Sequence, residues 1–314
     1  VRSAFKELTG RNTIILLTKD QEIIAARNGS PLVIGFNKKN DEVFLSSDTL
    51  SFAEFASQMV IVDNGQMVCV KNGELKLFDI STDKEVKYKS VEIGFTGNKA
   101  NKEGYDYFIL KEIHEASFVL NQLVKQKKDK YEELAEKARK ARNIFVIGSG
   151  GAGVAAAQVA FYLRDIGKVK ATNLIGADAV EYESLFDKND LIIAISQSGE
   201  TADVLEVLEP AKKKGVKIAS FVNMPGSMIT RISDYKFLSE SGPEICVMST
   251  KTFDAQITFG YILAKTIVKK GAEARKQIKS LAVTIDKYLK EPKTHEHLKK
   301  IAKMLATKHD IFLV

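Results

Sequence analysis

The chain has 314 residues, 45% hydrophobic and 28% charged, with a formal net charge of +7. That length leaves room for about two domains, each able to bury a core, and the balance of residue types is that of a soluble globular protein. No apolar stretch approaches the roughly 20 residues a membrane helix needs, and no signal-peptide pattern precedes the first helix pattern. The excess lysine sits in mixed-charge helical stretches such as residues 125–133, without interleaved aromatics. A solvated helix face accounts for it, so neither nucleic acid nor a membrane is an expected partner. The two cysteines, Cys69 and Cys246, form no metal-ligand spacing. A reducing, cytoplasmic setting is expected, with no metal and no cofactor.

Residues 1–80 read as β-rich material behind one short helix. Residues 13–17 and 22–26 are strand-like, with Lys19-Asp20-Gln21 as the turn between them. Gly29-Ser30-Pro31 breaks the chain before another apolar run at 32–35. Residues 66–70 and 74–78 flank Lys71-Asn72-Gly73, a hairpin signature with Asn-Gly at the turn. Residues 81–104 are polar and turn-rich, and the sequence predicts a linker there.

From Tyr105 the texture changes to long helices alternating with short apolar runs. The runs are 144–147, 171–175, 191–195 and 217–222, with 235–238 a weaker fifth. Residues 202–214 carry helical periodicity that Gly215 closes. This alternation predicts an α/β fold with a doubly wound parallel sheet. Ligands bind such sheets beyond the carboxyl ends of the strands.

Residues 134–147 align without gaps to residues 301–314, each an amphipathic helix leading into a strand pattern. The first copy continues into Gly148-Ser149-Gly150, and the sequence stops at that point of the second. With Val1 in place of methionine, this reads as a piece cut within domains at both ends.

Three polar turns carry the chemistry. Gly148-Ser149-Gly150-Gly151-Ala152-Gly153 matches G-x-G-x-x-G, which raises a dinucleotide site. The acid such a site wants at the end of the second strand is missing, and Asp178 comes late. Ser196-Gln197-Ser198-Gly199-Glu200-Thr201 follows the most apolar run; a helix cap needs one hydroxyl, and here there are three plus an amide. Residues 244–252 form a third hydroxyl-rich turn, opening a helix from about Phe253. Converging on one crevice, these turns suit a phosphorylated, hydroxyl-rich small molecule, with helix N-termini carrying the phosphate.

On these residues the chain resembles the glutamine–fructose-6-phosphate aminotransferase family. The stretch at 196–203, the run Asn223-Met224-Pro225-Gly226-Ser227, Ser249-Thr250-Lys251 and the segment 107–115 match the first sugar isomerase (SIS) domain of that family. Residues 29–35 with Ser46-Ser47-Asp48 resemble the back half of its class II glutaminase domain. The resemblance implies a partial glutaminase segment of Ntn-type α+β fold at 1–80, a linker at 81–104, a first SIS domain at 105–290 and the start of a second at 291–314. Gly148, Ser149, Gly150, Ser196, Gln197, Ser198, Thr201, Val247 and Ser249 match its sugar-phosphate contacts. Gly150 departs from the family pattern, which has Ser there.

The implied ligands are fructose 6-phosphate and glucosamine 6-phosphate, and the implied assembly is a homodimer or higher. The glutaminase cysteine, the Schiff-base lysine, the proton-shuttling glutamate and the ring-opening histidine of the family match nothing here. The chain is therefore expected to bind sugar phosphate without turnover, and His114, His295, His297 and His309 are expected on helix surfaces. The competing reading is a non-catalytic SIS-domain sensor, but no helix-turn-helix pattern precedes residue 105. An isomerase built from SIS domains alone is disfavoured by residues 1–80.

Overall fold

The computed structural model describes residues 1–37, 42–93 and 101–312. It divides into two compact units, Val1–Asn101 and Lys102–Val314.

The first unit opens with helix α1 (Arg2–Lys6) and continues in strands β1 (Asn12–Leu17), β2 (Ile23–Asn28), β3 (Val33–Phe36), β4 (Val43–Ser46), β5 (Gln58–Ile61), β6 (Gln66–Lys71), β7 (Glu74–Asp79), β8 (Glu85–Val86) and β9 (Val91–Glu92). They form two antiparallel sheets, ordered β1-β2-β6-β7-β8 and β4-β3-β5-β9. Ala25, Val68 and Leu77 of one sheet pack with Ile34 and Val60 of the other in one buried core, as two stacked sheets do. The β6–β7 turn is made by Asn72 (φ 51°) and Gly73 (φ 75°). Positive φ at both positions matches the twist of the strands, which is why Asn-Gly is read so reliably as a hairpin. The polar stretch 81–104 does more than connect: β8 pairs with β7, and β9 with β5. Residues 94–100 of it lie outside the described residues.

The second unit begins with helices α2 (Phe108–His114), α3 (Ala116–Lys125) and α4 (Lys128–Lys140). Strand β10 (Ile144–Gly148), α5 (Gly151–Asp165), β11 (Ala171–Ile175), a 3₁₀ segment (Asp178–Leu185), β12 (Leu191–Ile195), α6 (Ala202–Lys213), β13 (Lys217–Val222), α7 (Met228–Ile232) and β14 (Tyr235–Leu238) follow. Helices α8 (Lys251–Ile267), α9 (Gly271–Lys290) and α10 (Pro292–Leu305) complete it. The five predicted strands form one parallel sheet in the order β11-β10-β12-β13-β14.

Period-2 alternation divides the strand side chains between two cores. Ile144, Val146, Leu191, Ile193 and Ile195 face a core shared with α5 and α8. Phe145, Ile147, Ile192 and Ala194 face one shared with α6 and α7. Phe259 of α8 anchors the first core, its ring stacked 4.6 Å from that of Phe221 and tilted against that of Phe237 at 5.0 Å. Burial on both faces explains why these strands read as unbroken apolar runs. The order reverses between β10 and β12, a topological switch point, so the turns after those two strands flank the crevice.

In the second copy of the repeat the described residues carry the helix but no strand. Residues 310–312 carry no strand, and residues 313–314 lie outside the described residues. The reason is physical. β10 exists because β11 and β12 satisfy its backbone, whereas residues 310–312 have no ladder partner among the described residues.

Helices α5 and α8 touch where Gly260 lies against Val159, and a Cβ on Gly260 would sit 2.9 Å from the Val159 Cβ. The overlap costs about 1–3 kcal/mol, which outweighs the ~1 kcal/mol alanine gains in helix propensity. Gly260→Ala is expected to lower stability by about 1 kcal/mol in urea unfolding. Adding Val159→Ala should recover part of that loss, leaving the double variant more stable than additivity predicts.

Candidate functional site

The turn after β10 is shaped by glycine. A Cβ on Gly148 would lie 2.6 Å from the Ala152 carbonyl carbon, so only glycine lets α5 start directly above the strand. Gly150 has φ 57° and ψ −132°, a conformation L side chains rarely adopt. Between them, Ser149 has its Oγ buried without a hydrogen-bond partner among the described residues. No side chain among the described residues caps α5; the Gly153 N–H donates to the Gly150 carbonyl, which leaves those of Gly151 and Ala152 for an anion.

The turn after β12 folds on itself. Ser196 is 2% exposed, and its Oγ lies 2.9 Å from Thr201 Oγ1 while accepting the Gly199 N–H at 2.9 Å. Ser198 Oγ accepts the Glu200 N–H at 3.1 Å. Thr201 stands at the N-cap of α6, and no side chain caps that helix among the described residues. The hydroxyls therefore fix the loop, while the N-terminus of α6 is left for a ligand. Gly199, at φ 68°, lets Ser227 approach closely; a Cβ there would meet the Ser227 Cβ at 2.6 Å.

These two turns meet at Gly176, a residue the sequence reading did not single out. Its N–H donates to the Gly148 carbonyl at 2.9 Å. A side chain there would collide with Ser149 Oγ and lie 3.1 Å from the Asp203 Cβ in the first turn of α6. The missing Cβ is what brings Ser149 and the start of α6 together. Asn223, after β13, ties in the far side: its N–H donates to the Gln197 carbonyl at 3.0 Å, and its Oδ1 accepts from Ser239 Oγ at 2.5 Å. The signal for both was present in principle, since each lies at the carboxyl end of a strand.

The third turn is held separately, by carboxylates that sequence reasoning missed. Glu112 Oε1 accepts the N–H groups of Ile245 (2.6 Å) and Cys246 (3.2 Å). Glu244 Oε1 accepts those of Thr250 (3.0 Å) and Thr252 (3.1 Å), and its Oε2 accepts from Ser249 Oγ at 3.0 Å. Helix α8 consequently begins at Lys251, two residues before the position expected from the sequence. Lys251, 2% exposed, bonds Glu115 at 2.6 Å. Val247 projects fully into solvent, and neither it nor Ser249 bonds the first two turns among the described residues. Those residues also contain no cluster of metal-ligating side chains, and no helix of theirs is long and apolar enough to cross a membrane.

Burial, and secondarily the negative charge of Glu244, push the Asp254 carboxyl in the first turn of α8 up to about 6. The folded state thus holds this proton more tightly than the unfolded chain, and stability falls as pH rises from about 4 through 6. Asp254→Asn is expected to be about 1 kcal/mol more stable than the parent at pH 8 and to lose that advantage by about pH 4. Thermal melts across that range check it.

Comparison with known proteins follows this geometry. Residues 137–266 match the SIS domain family model. The chain is 31% identical over its full length to glutamine–fructose-6-phosphate aminotransferase (isomerizing) from Methanococcus maripaludis, covering 52% of that protein. It is 33% identical, again over its full length, to the enzyme of that name from Pyrococcus horikoshii, covering 53%. The chain thus spans about half the length of the curated relatives it matches. Among solved structures, the C-terminal domain of glucosamine-fructose-6-phosphate aminotransferase from Francisella tularensis superposes with a TM-score of 0.56 at 26% identity. That match covers 66% of this chain and 62% of the other. Residues 137–266 thus form a SIS domain, and the chain as a whole is similar to about half the length of each glutamine–fructose-6-phosphate aminotransferase named here.

Proposed function

We propose that the second unit holds fructose 6-phosphate, or its product glucosamine 6-phosphate, for the amination reaction after which its relatives are named. The observation that carries this reading is the convergence at Gly176. A buried, unpartnered Ser149 hydroxyl and the uncapped start of α6 share one end of the sheet. Uncapped N–H groups and a helix dipole favour a phosphate. Gln197, Ser198 and Thr201 add neutral donors and acceptors suited to a polyol. Gly148 and Gly150 let the ligand approach the backbone, and Ser196 keeps the loop in shape. Val247 and Ser249, on the turn that Glu112 and Glu244 restrain, contact the sugar chain from the other side. The dinucleotide alternative lacks its acidic residue, since the exposed end of β11 is Ile175.

Binding is the whole of the role we assign to this chain. In residues 148–151 and 196–201 the one ionisable side chain is Glu200, and its Oε1 accepts the Met228 N–H at 2.9 Å. Neutral hydroxyls can orient a sugar, but a Ser or Thr hydroxyl is too weak an acid and too weak a base to serve alone as the general acid–base catalyst. The two packed antiparallel sheets of the first unit suit the back half of a glutaminase-type domain. A cytoplasmic homodimer is the setting we assign, as an enzyme of intermediary metabolism with free, reduced cysteines would have.

Calorimetry on the full chain tests the reading. Fructose 6-phosphate should bind and NAD should not. Ser198→Ala and Thr201→Val should each weaken the sugar phosphate by about tenfold, the worth of one ligand hydrogen bond. No glutamate should appear from glutamine in a coupled assay. NAD binding in preference to the sugar would sink the site, and turnover would sink the binding-only role.

A further inference from the structure

Residues 243–249, between β14 and α8, are held by very little. They carry neither helix nor strand. Among the described residues, no backbone–backbone hydrogen bond reaches them. Three of their side chains are apolar and exposed: Ile245, Met248 and Val247, the last with its whole surface in solvent.

Two carboxylates hold the turn at different places. Glu244, itself buried, works at the foot, where its oxygens accept the Thr250 and Thr252 N–H groups and the Ser249 hydroxyl at the start of α8. Towards the tip, the N–H groups of Ile245 and Cys246 both go to Glu112 Oε1, at 2.6 and 3.2 Å. No other side chain among the described residues bonds residues 245–248. Glu112 is a firm anchor, 2% exposed on α2. That helix is tied to α8 independently, because Glu115 at its C-terminal end accepts from Lys251 Nζ at 2.6 Å. Glu112 Oε2 is buried with no hydrogen-bond partner among the described residues. Burying an unbonded carboxylate oxygen is costly, so stability is a poor reason for glutamate at this place.

We propose that Glu112 is a positioning residue that sets selectivity for the sugar chain over bare phosphate. The assignment rests on the sugar-phosphate reading above. The phosphate end belongs to the turns after β10 and β12, to which Glu112 makes no hydrogen bond among the described residues. The sugar chain depends on Val247 and Ser249, and the tip of their turn depends on one acceptor oxygen. With that acceptor in place, the turn is ordered before the ligand arrives. Without it, residues 245–248 are freed, and sugar binding must order them again at an entropic cost.

Calorimetry on the full chain with fructose 6-phosphate and with inorganic phosphate tests this, beside amide hydrogen exchange of the free protein. In Glu112→Ala the Ile245 and Cys246 amides should exchange about tenfold faster, while those of Thr250 and Thr252 keep their protection. The same variant should weaken fructose 6-phosphate by about tenfold and leave inorganic phosphate within about twofold of the parent. Glu112→Gln, which keeps an acceptor oxygen, should restore the parent's behaviour in both measurements. If Glu112→Ala fails to fold, Glu112→Asp, whose shorter reach withdraws the acceptor, should show the same split between the two ligands. An equal loss for both ligands, no loss for either, or unchanged exchange at residues 245–246 would overturn the assignment. So would a Glu112→Gln chain as weak as Glu112→Ala, or a parent that takes fructose 6-phosphate but not phosphate. A parent that does not take fructose 6-phosphate sinks the sugar reading itself, and this assignment with it.

Discussion

Everything in the second unit depends on five parallel strands buried on both faces. A parallel sheet cannot close its own connections tightly, so each crossover must return across one face. That requirement puts α5 and α8 on one side, α6 and α7 on the other, and the loops that follow the strands at one edge. Because strand order reverses between β10 and β12, their helices leave in opposite directions and open a crevice. The candidate site is a consequence of this geometry before it is a matter of particular side chains.

Absent side chains matter as much as present ones. Gly148, Gly176 and Gly199 sit where a Cβ would meet backbone or a neighbouring hydroxyl, and Gly260 where two helices touch. Each allows an approach that alanine would block, and together they draw the turns after β10, β11, β12 and β13 into one layer. Asn223 completes it by bonding across from the β12 turn to residues 239–242.

Charge is managed in a consistent way. Asp190, fully buried, is pushed up by burial but held lower overall by the Arg142 fork at 2.9 and 2.7 Å and by further donors. Glu112, through one of its oxygens, and Glu244 accept backbone N–H groups, and Lys251 pairs with Glu115. Asp254 has no such donors in compensation, and its raised affinity for a proton follows. The buried carboxylates spend their hydrogen-bonding capacity on restraining loops. The neutral hydroxyls of Ser196, Ser198 and Thr201 instead hold their own loop in shape at the start of α6.

The sequence by itself determined the five strands, the Asn72-Gly73 hairpin, the helix after Thr201 and the motif at 196–201. All of these are local: apolar runs, turn chemistry and capping are written within a few residues of one another. Tertiary structure alone decided the rest. Gly176 is an ordinary residue until the sheet order sets it beside residues 148–149, and Asn223, part of a run matched in sequence, gains its hydrogen bond to residue 197 only in the fold. Glu112 lies 133 positions from Ile245, a pairing no periodicity encodes. The same reason leaves residues 310–312, within the run expected as a strand, without one. An apolar run proposes a strand, but only a neighbouring strand that accepts its hydrogen bonds makes it one.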